Sequence, residues 1–229
     1  MTRAFRQFID AVLPTSCIDC QALGSHICTV CSGQFVFTGH RVSRQDLHGC
    51  SATTLNREAH LLISAVKDDG RTGLLREISS AIVASLAIAH PAAFEPAFAE
   101  ALHSRNFAIV SIPTRKAALK RRGFDAVGSL ARLVAKDLGV RVQPGLSLAR
   151  ETRDQRSLTL DERAENLQGA MSFGASGAFD GPVVLLDDVV TTGATLLEGR
   201  RAVEAAGIHV VGFVTFAETP SLLDAKASK

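Results

Sequence analysis

One stretch, VVLLDDVVTTGATL over Val183–Leu196, constrains this chain more than any other. Its first four residues are continuously apolar, as in a strand buried on both faces of a parallel sheet. Two adjacent carboxylates, Asp187 and Asp188, follow. After Val189 and Val190 comes the small polar loop Thr191-Thr192-Gly193-Ala194-Thr195, and a helix-forming run begins at Leu196. In such a strand–loop–helix unit the backbone N–H groups of the loop and helix N-terminus converge on one spot and favour an anion there. Threonine hydroxyls add donors to the same oxygens. The carboxylates fall at the carboxyl end of the strand, where open α/β sheets hold ligands. Like charge excludes them from the phosphate, so their partners are sugar hydroxyls or Mg²⁺. A ligand with a phosphate at one end and vicinal hydroxyls beside it, such as a ribose 5-phosphate, suits this arrangement. An ordinary buried strand and turn would not require two carboxylates and three threonines here.

The rest of the chain supplies a frame for that unit. At 229 residues and 46% hydrophobic, with 21% charged residues, it can bury a sizeable core and does not have a disordered composition. A net charge of +2 is too small to argue alone for a nucleic-acid or membrane partner. No apolar run is long enough to span a bilayer. The opening MTRAFRQFIDAVLP has charge within its apolar part and no small-residue cleavage site, so the expectation is a cytoplasmic protein with reduced or metal-bound cysteines.

Phe5, Phe8, Ile9 and Val12 follow helical spacing up to Pro14. Cys17-x-x-Cys20 and Cys28-x-x-Cys31 then form two CxxC pairs, able to place four thiolates around one tetrahedral Zn²⁺. Two disulfides would suit a secreted chain, and a redox CxxC would normally stand alone. Structural zinc is the preferred reading, with His26 a surface residue and Cys50 a free thiol. Residues 34–56 read as mostly polar loop, with Phe35-Val36-Phe37 a candidate strand. Helices are predicted from Asn56 to about Lys67 and from Leu74 to Ala89, and a short helical piece over Ala97–Leu102. Phe107–Ile112 reads as a buried strand. It leads into Pro113-Thr114-Arg115-Lys116 and Lys120-Arg121-Arg122-Gly123-Phe124, cations suited to a pyrophosphate or to a solvated basic face. A helix over Ala126–Leu138 and a strand at Leu146–Arg150 follow. The charged segment Glu151–Asn166, with Arg153, Gln155, Arg163 and Asn166, reads as a surface excursion or a lid. A helix over Ala194–Ala206 and a strand over Ile208–Phe216 close the pattern, and the tail from Glu218 carries no evident role. The predicted class is α/β: a mainly parallel sheet with helices on both faces, preceded by a small four-cysteine zinc module.

The Val183–Leu196 stretch resembles the phosphoribosyl pyrophosphate (PRPP) signature of type I phosphoribosyltransferases. The resemblance implies that Asp187 and Asp188 bind the ribose hydroxyls and that Thr191, Thr192, Gly193, Ala194 and Thr195 bind the 5-phosphate. Block order resembles the ComF family of phosphoribosyltransferase-like proteins: Cys17–Cys31, Ile112-Pro113 with Arg121-Arg122-Gly123-Phe124, Thr152-x-x-Gln155, Arg163-x-x-Asn166-x-x-Gly169, then the PRPP signature. Asp125-Ala126 stands where that family tends to have Asn-Gln. The resemblance implies a zinc module over residues 1–40 and a phosphoribosyltransferase-like domain over 41–229. It also implies Mg²⁺·PRPP as ligand, with Arg115, Lys116 and Lys67 holding the leaving pyrophosphate and Arg153, Gln155, Arg163 and Asn166 in a lid. The activity implied is transfer of ribose 5-phosphate to a base or amine. The alternative is a non-catalytic accessory of DNA uptake in competence, acting through single-stranded DNA or a protein.

Overall fold

The computed structural model describes residues 15–88, 95–149, 169–174, 177 and 179–219. The amphipathic pattern of residues 5–12 and the lid candidates Arg153, Gln155, Arg163 and Asn166 lie outside them. The described chain is α/β. Six strands form its main sheet: β1 (His40–Arg44), β2 (Leu47–Thr54), β3 (Ala108–Ser111), β4 (Arg141–Val142), β7 (Val183–Val190) and β8 (Val210–Glu218). Their order across the sheet is β1-β2-β8-β7-β3-β4. The β1–β2 pair is antiparallel and every other pairing is parallel. A separate antiparallel pair joins β5 (Leu146–Leu148) to β6 (Met171–Phe173).

Alternation along the central strands divides the core in two. Val184 and Leu186 of β7 and Ile109 of β3 face one layer. That layer is built from α1 (Arg57–Lys67), α2 (Leu75–Ile88), α3 (Pro96–Ser104) and α5 (Ala126–Leu138). Val183, Leu185, Ala108 and Val110 face the other layer, formed by α6 (Ala194–Glu204) and the β5–β6 pair. The helices therefore cover both faces, as the continuous apolar strands require.

Helix boundaries follow local chemistry. Asn56 caps α1 by accepting from the Ala59 N–H at 2.8 Å. Asp125 caps α5 by accepting from the Gly128 N–H at 3.1 Å, and Gly139 ends it in the left-handed conformation at φ 72°. Three expectations are corrected. Phe35–Phe37 is not a strand; the hairpin lies just after it, in β1 and β2. Within the basic segment, to which the sequence assigns no element, α4 (Lys116–Arg122) forms and ends at Gly123. Leu146–Leu148 pairs with β6 rather than joining the main sheet, whose edge is β4. His26 is half-buried rather than a surface residue, with its Nδ1 buried and unpartnered.

Candidate functional site

Strand β7 brings the acidic pair to the carboxyl edge of the sheet and leads directly into the loop. Thr191 and Thr192 leave the strand, Gly193 turns the chain at φ 82°, and α6 begins at Ala194 with no side-chain cap at Gly193. The Ala194 N–H donates to Thr192 Oγ1 at 3.3 Å, a short turn that gathers the loop over the helix end. The N-terminus of this 11-residue helix is thus presented between threonines, an arrangement able to hold a phosphate.

Asp187 and Asp188 are neighbours in an extended strand, so their side chains leave toward opposite faces. Asp188 lies on the α1/α5 side, in a small cleft with Ile63, Lys67, Ala126 and Leu130. There its Oδ2 ion-pairs with Lys67 Nζ from the last turn of α1. Asp187 alternates to the α6 side and curls back, its Oδ1 accepting the Asp188 N–H at 2.8 Å. Burial disfavours its ionised form and the Asp188 charge adds to this. Against the opposing pull of Lys67, the two raise the Asp187 pKa to about 8. A carboxyl held this high is a place where a cation or a hydroxyl-bearing ligand relieves repulsion.

Beside this pair opens a cavity of about 410 Å³ lined by Lys67, Asp68, Asp69, Gly70, Arg121 and Arg122. Three cations on two helix C-termini converge there. Arg115 and Lys116 stand at the other end of α4, roughly 9 Å away along its axis, and do not line the cavity. The sequence pattern marks the basic segment as a whole; the helix decides which of its cations meet Lys67. Asp125, which replaces a side-chain amide of the resembled family, is engaged structurally. Besides capping α5 it accepts from Thr114 Oγ1 at 2.9 Å.

Sequence reasoning passes over the support beneath the loop. Arg44, at the end of β1, is only 4% exposed. Its Nε donates to the Thr191 carbonyl at 2.6 Å, and its Nη2 to Glu218 Oε2 at 2.6 Å and the Thr219 carbonyl at 2.8 Å. His40 Nε2 meets the other Glu218 oxygen at 2.8 Å, so the hydrogen lies on that nitrogen. Burial raises the Glu218 pKa, but the His40 and Arg44 hydrogen bonds outweigh it and hold the carboxyl below its ordinary value. The expectation that the chain from Glu218 onward has no role is corrected: Glu218 closes β8 and anchors Arg44.

At the other end of the chain, the Sγ atoms of Cys17, Cys20, Cys28 and Cys31 all lie within 4.8 Å of one another, and none is in a disulfide. Tetrahedral zinc with Zn–S bonds of about 2.3 Å needs sulfurs close to 3.8 Å apart; Cys20 and Cys28 stand at 3.6 Å. Burial raises the Cys17 thiol, but backbone N–H groups of Cys28, Cys20 and Asp19 outweigh it and bring it to about 6. Four soft donors with one already biased to thiolate fit a metal such as zinc. The cluster is tied to the main core. Ile18 packs into the α1/α2 layer, Arg71 Nη1 donates to the Ser16 carbonyl at 2.6 Å, and Arg57 ion-pairs with Asp19.

No family model and no curated protein matches the chain. Among solved structures it is similar to an adenine phosphoribosyltransferase from Leishmania tarentolae, at 18% identity over 86% of this chain and 78% of that one, TM-score 0.41. It is also similar to an orotate phosphoribosyltransferase from Aeropyrum pernix, at 13% identity over 86% of each chain, TM-score 0.37. A third is an adenine phosphoribosyltransferase from Trypanosoma brucei in complex with AMP, pyrophosphate and ribose-5-phosphate, at 13% identity over 86% of this chain and 91% of that one, TM-score 0.38. Likenesses at this level assign nothing at the site, where the residues themselves carry the reading. No helix among the described residues is long and apolar enough to cross a membrane.

Proposed function

We propose that this chain binds PRPP and transfers its ribose 5-phosphate to a base or amine, releasing pyrophosphate. The observation that carries the reading is a convergence at one sheet edge. The uncapped α6 N-terminus with its threonines, the Asp187–Asp188 pair, and the cavity between Lys67 and Arg121–Arg122 meet where β7 ends. The spacing of charge matches the ligand: donors for a 5-phosphate, carboxylates for the ribose, cations for a pyrophosphate.

The step needs little covalent help from the protein. The bond from ribose C1 to the pyrophosphate oxygen breaks, the leaving group keeps the electron pair, and a nitrogen lone pair of the acceptor forms the new bond. Positive charge develops on the ribose ring, next to Asp187 and Asp188. Negative charge develops on the leaving pyrophosphate, next to Lys67, Arg121 and Arg122. Charge placed where it develops lowers the barrier. Asp187 and Asp188, carboxylates of the hard-oxygen type Mg²⁺ prefers, would hold the ion, which would neutralise part of the charge on the leaving pyrophosphate. Zn²⁺ on the four cysteines would be structural, since all four donors close the site and leave no open position.

The ComF-like block order of the sequence supports a second reading: a binding module that engages single-stranded DNA or a protein. The exposed Leu23 and Val30, beside the metal ligands at 72% and 86% exposure, favour a macromolecular contact at the cysteine module. ³¹P NMR of PRPP with the purified protein and a panel of bases separates the two. Acceptor-dependent appearance of pyrophosphate supports the transferase. PRPP that stays intact with every acceptor while still binding favours the module.

A further inference from the structure

The phosphate loop rests on a buried ion pair whose geometry is more specific than stability requires. Burying a guanidinium and a carboxylate costs several kcal/mol in desolvation, and well-packed apolar residues often serve a core as well or better. Arg44 and Glu218 are 4% and 6% exposed. The planar fork of Arg44 is aimed at two carbonyls that flank the loop, Thr191 on the β7 side and Thr219 on the β8 side. Its stem also forms the floor of the turn. A Cβ on Gly193 would come within 2.5 Å of Arg44 Cβ. Gly193 therefore has two reasons to be glycine, its φ of 82° and the packed arginine beneath it. Glu218 fixes the fork from the far side, and His40 holds Glu218. Three strands contribute to one support under one loop: β1 through His40 and Arg44, β8 through Glu218, and β7 through the loop itself.

We infer that Arg44 is the positioning residue of the phosphate loop, with Glu218 and His40 as its anchor. This rests on reading Thr191–Thr195 as the anion site and extends it to a group that never touches the ligand. Arg44 sets the Thr191 carbonyl, and through it the approach of Thr192, Gly193 and the α6 N-terminus to the phosphate. The pyrophosphate subsite, built on α1 and α4, does not depend on it.

Arg44→Lys keeps the charge but loses the fork, and Arg44→Met/Glu218→Met removes both charges together. Hydrogen exchange of the 190–196 backbone is measured beside calorimetric binding of ribose 5-phosphate and of inorganic pyrophosphate. Positioning requires exchange in the loop to quicken by about tenfold in both variants, with α5 unchanged. Ribose 5-phosphate affinity should fall by about tenfold while pyrophosphate affinity stays within about twofold. Unchanged loop exchange overturns the inference, as does equal weakening of both ligands with exchange rising throughout the chain. Should the wild-type protein bind neither ligand, the ribose-phosphate reading fails, and loop exchange alone still decides whether Arg44 holds the loop. If the double variant does not fold, Arg44→Lys decides it.

Discussion

Lys67, in the last turn of α1, ion-pairs through its ammonium with Oδ2 of Asp188 in β7. The contact joins the two halves of the candidate site: Asp188 belongs to the acidic pair proposed to hold the ribose, and Lys67 also lines the cavity shared with Arg121 and Arg122. A polyanion in that cavity competes with Asp188 for the lysine. Replacing Lys67 by Met should weaken pyrophosphate binding by about tenfold or more, roughly 1.4 kcal/mol. Calorimetry with inorganic pyrophosphate checks it, and an unchanged affinity would place the subsite elsewhere.

Asp187 gives the ligand-free protein a defined pH dependence. Its folded-state pKa of about 8 lies above the ordinary value of 3.8. Between those values the unfolded chain has lost the proton that the folded chain retains, so stability falls as pH rises through the window. Asp187→Asn removes that penalty. The variant should match the wild type near pH 4 and exceed it above pH 8, by up to about 5 kcal/mol, the linkage value of a shift of this size. Thermal melts at the two pH values measure the difference. A variant no more stable at high pH would show that Asp187 ionises freely.

The cysteine cluster is coupled to the core through Ile18, Arg71 and Arg57, so metal loss should be felt beyond it. Stripping the metal with a strong chelator, or substituting Cys17→Ser, is expected to cost about 3 kcal/mol or more, near 10 °C in Tm for a chain of this size. Elemental analysis should find about one zinc per chain before treatment. A chain that melts identically with and without metal would contradict a structural role.

Asp125 separates structural from ligand-binding duty. Its carboxylate caps α5 and holds Thr114, so Asp125→Asn, a cap of equal quality, should be nearly neutral. Asp125→Ala should cost about 1 kcal/mol in chemical denaturation and leave ligand affinity unchanged. A loss of affinity in the Asn variant would return this residue to the ligand site.

The central strand, its acidic pair, the small polar loop Thr191–Thr195 and α5 are legible in the sequence. A strand buried on both faces must be continuously apolar, and an anion loop must be small and polar. Strand β2 is not legible. Its residues, LHGCSATT, carry no Val or Ile run and no apolar/polar alternation, and its glycine is set by a close neighbour: a Cβ on Gly49 would lie 2.3 Å from the Phe213 carbonyl oxygen. The β1–β2 turn carries Gln45-Asp46, with Gln45 at φ 55°, instead of an Asn-Gly signal. The α4 segment, KAALKRR, is made of strong helix formers, but a cation cluster reads equally as loop. Arg44 and Glu218 are 174 residues apart, and nothing local in either marks a buried charge. Long-range pairing alone reveals them.

The central claim is that one sheet edge binds PRPP through Asp187, Asp188 and the Thr191–Thr195 loop. Calorimetric titration with PRPP, with and without Mg²⁺, tests it on the wild type and on Asp187→Asn/Asp188→Asn. The expected result is saturable, Mg²⁺-dependent binding to the wild type, weakened by about a hundredfold or more in the double variant. Absence of binding to the wild type, or affinity unaltered in the variant, would contradict it.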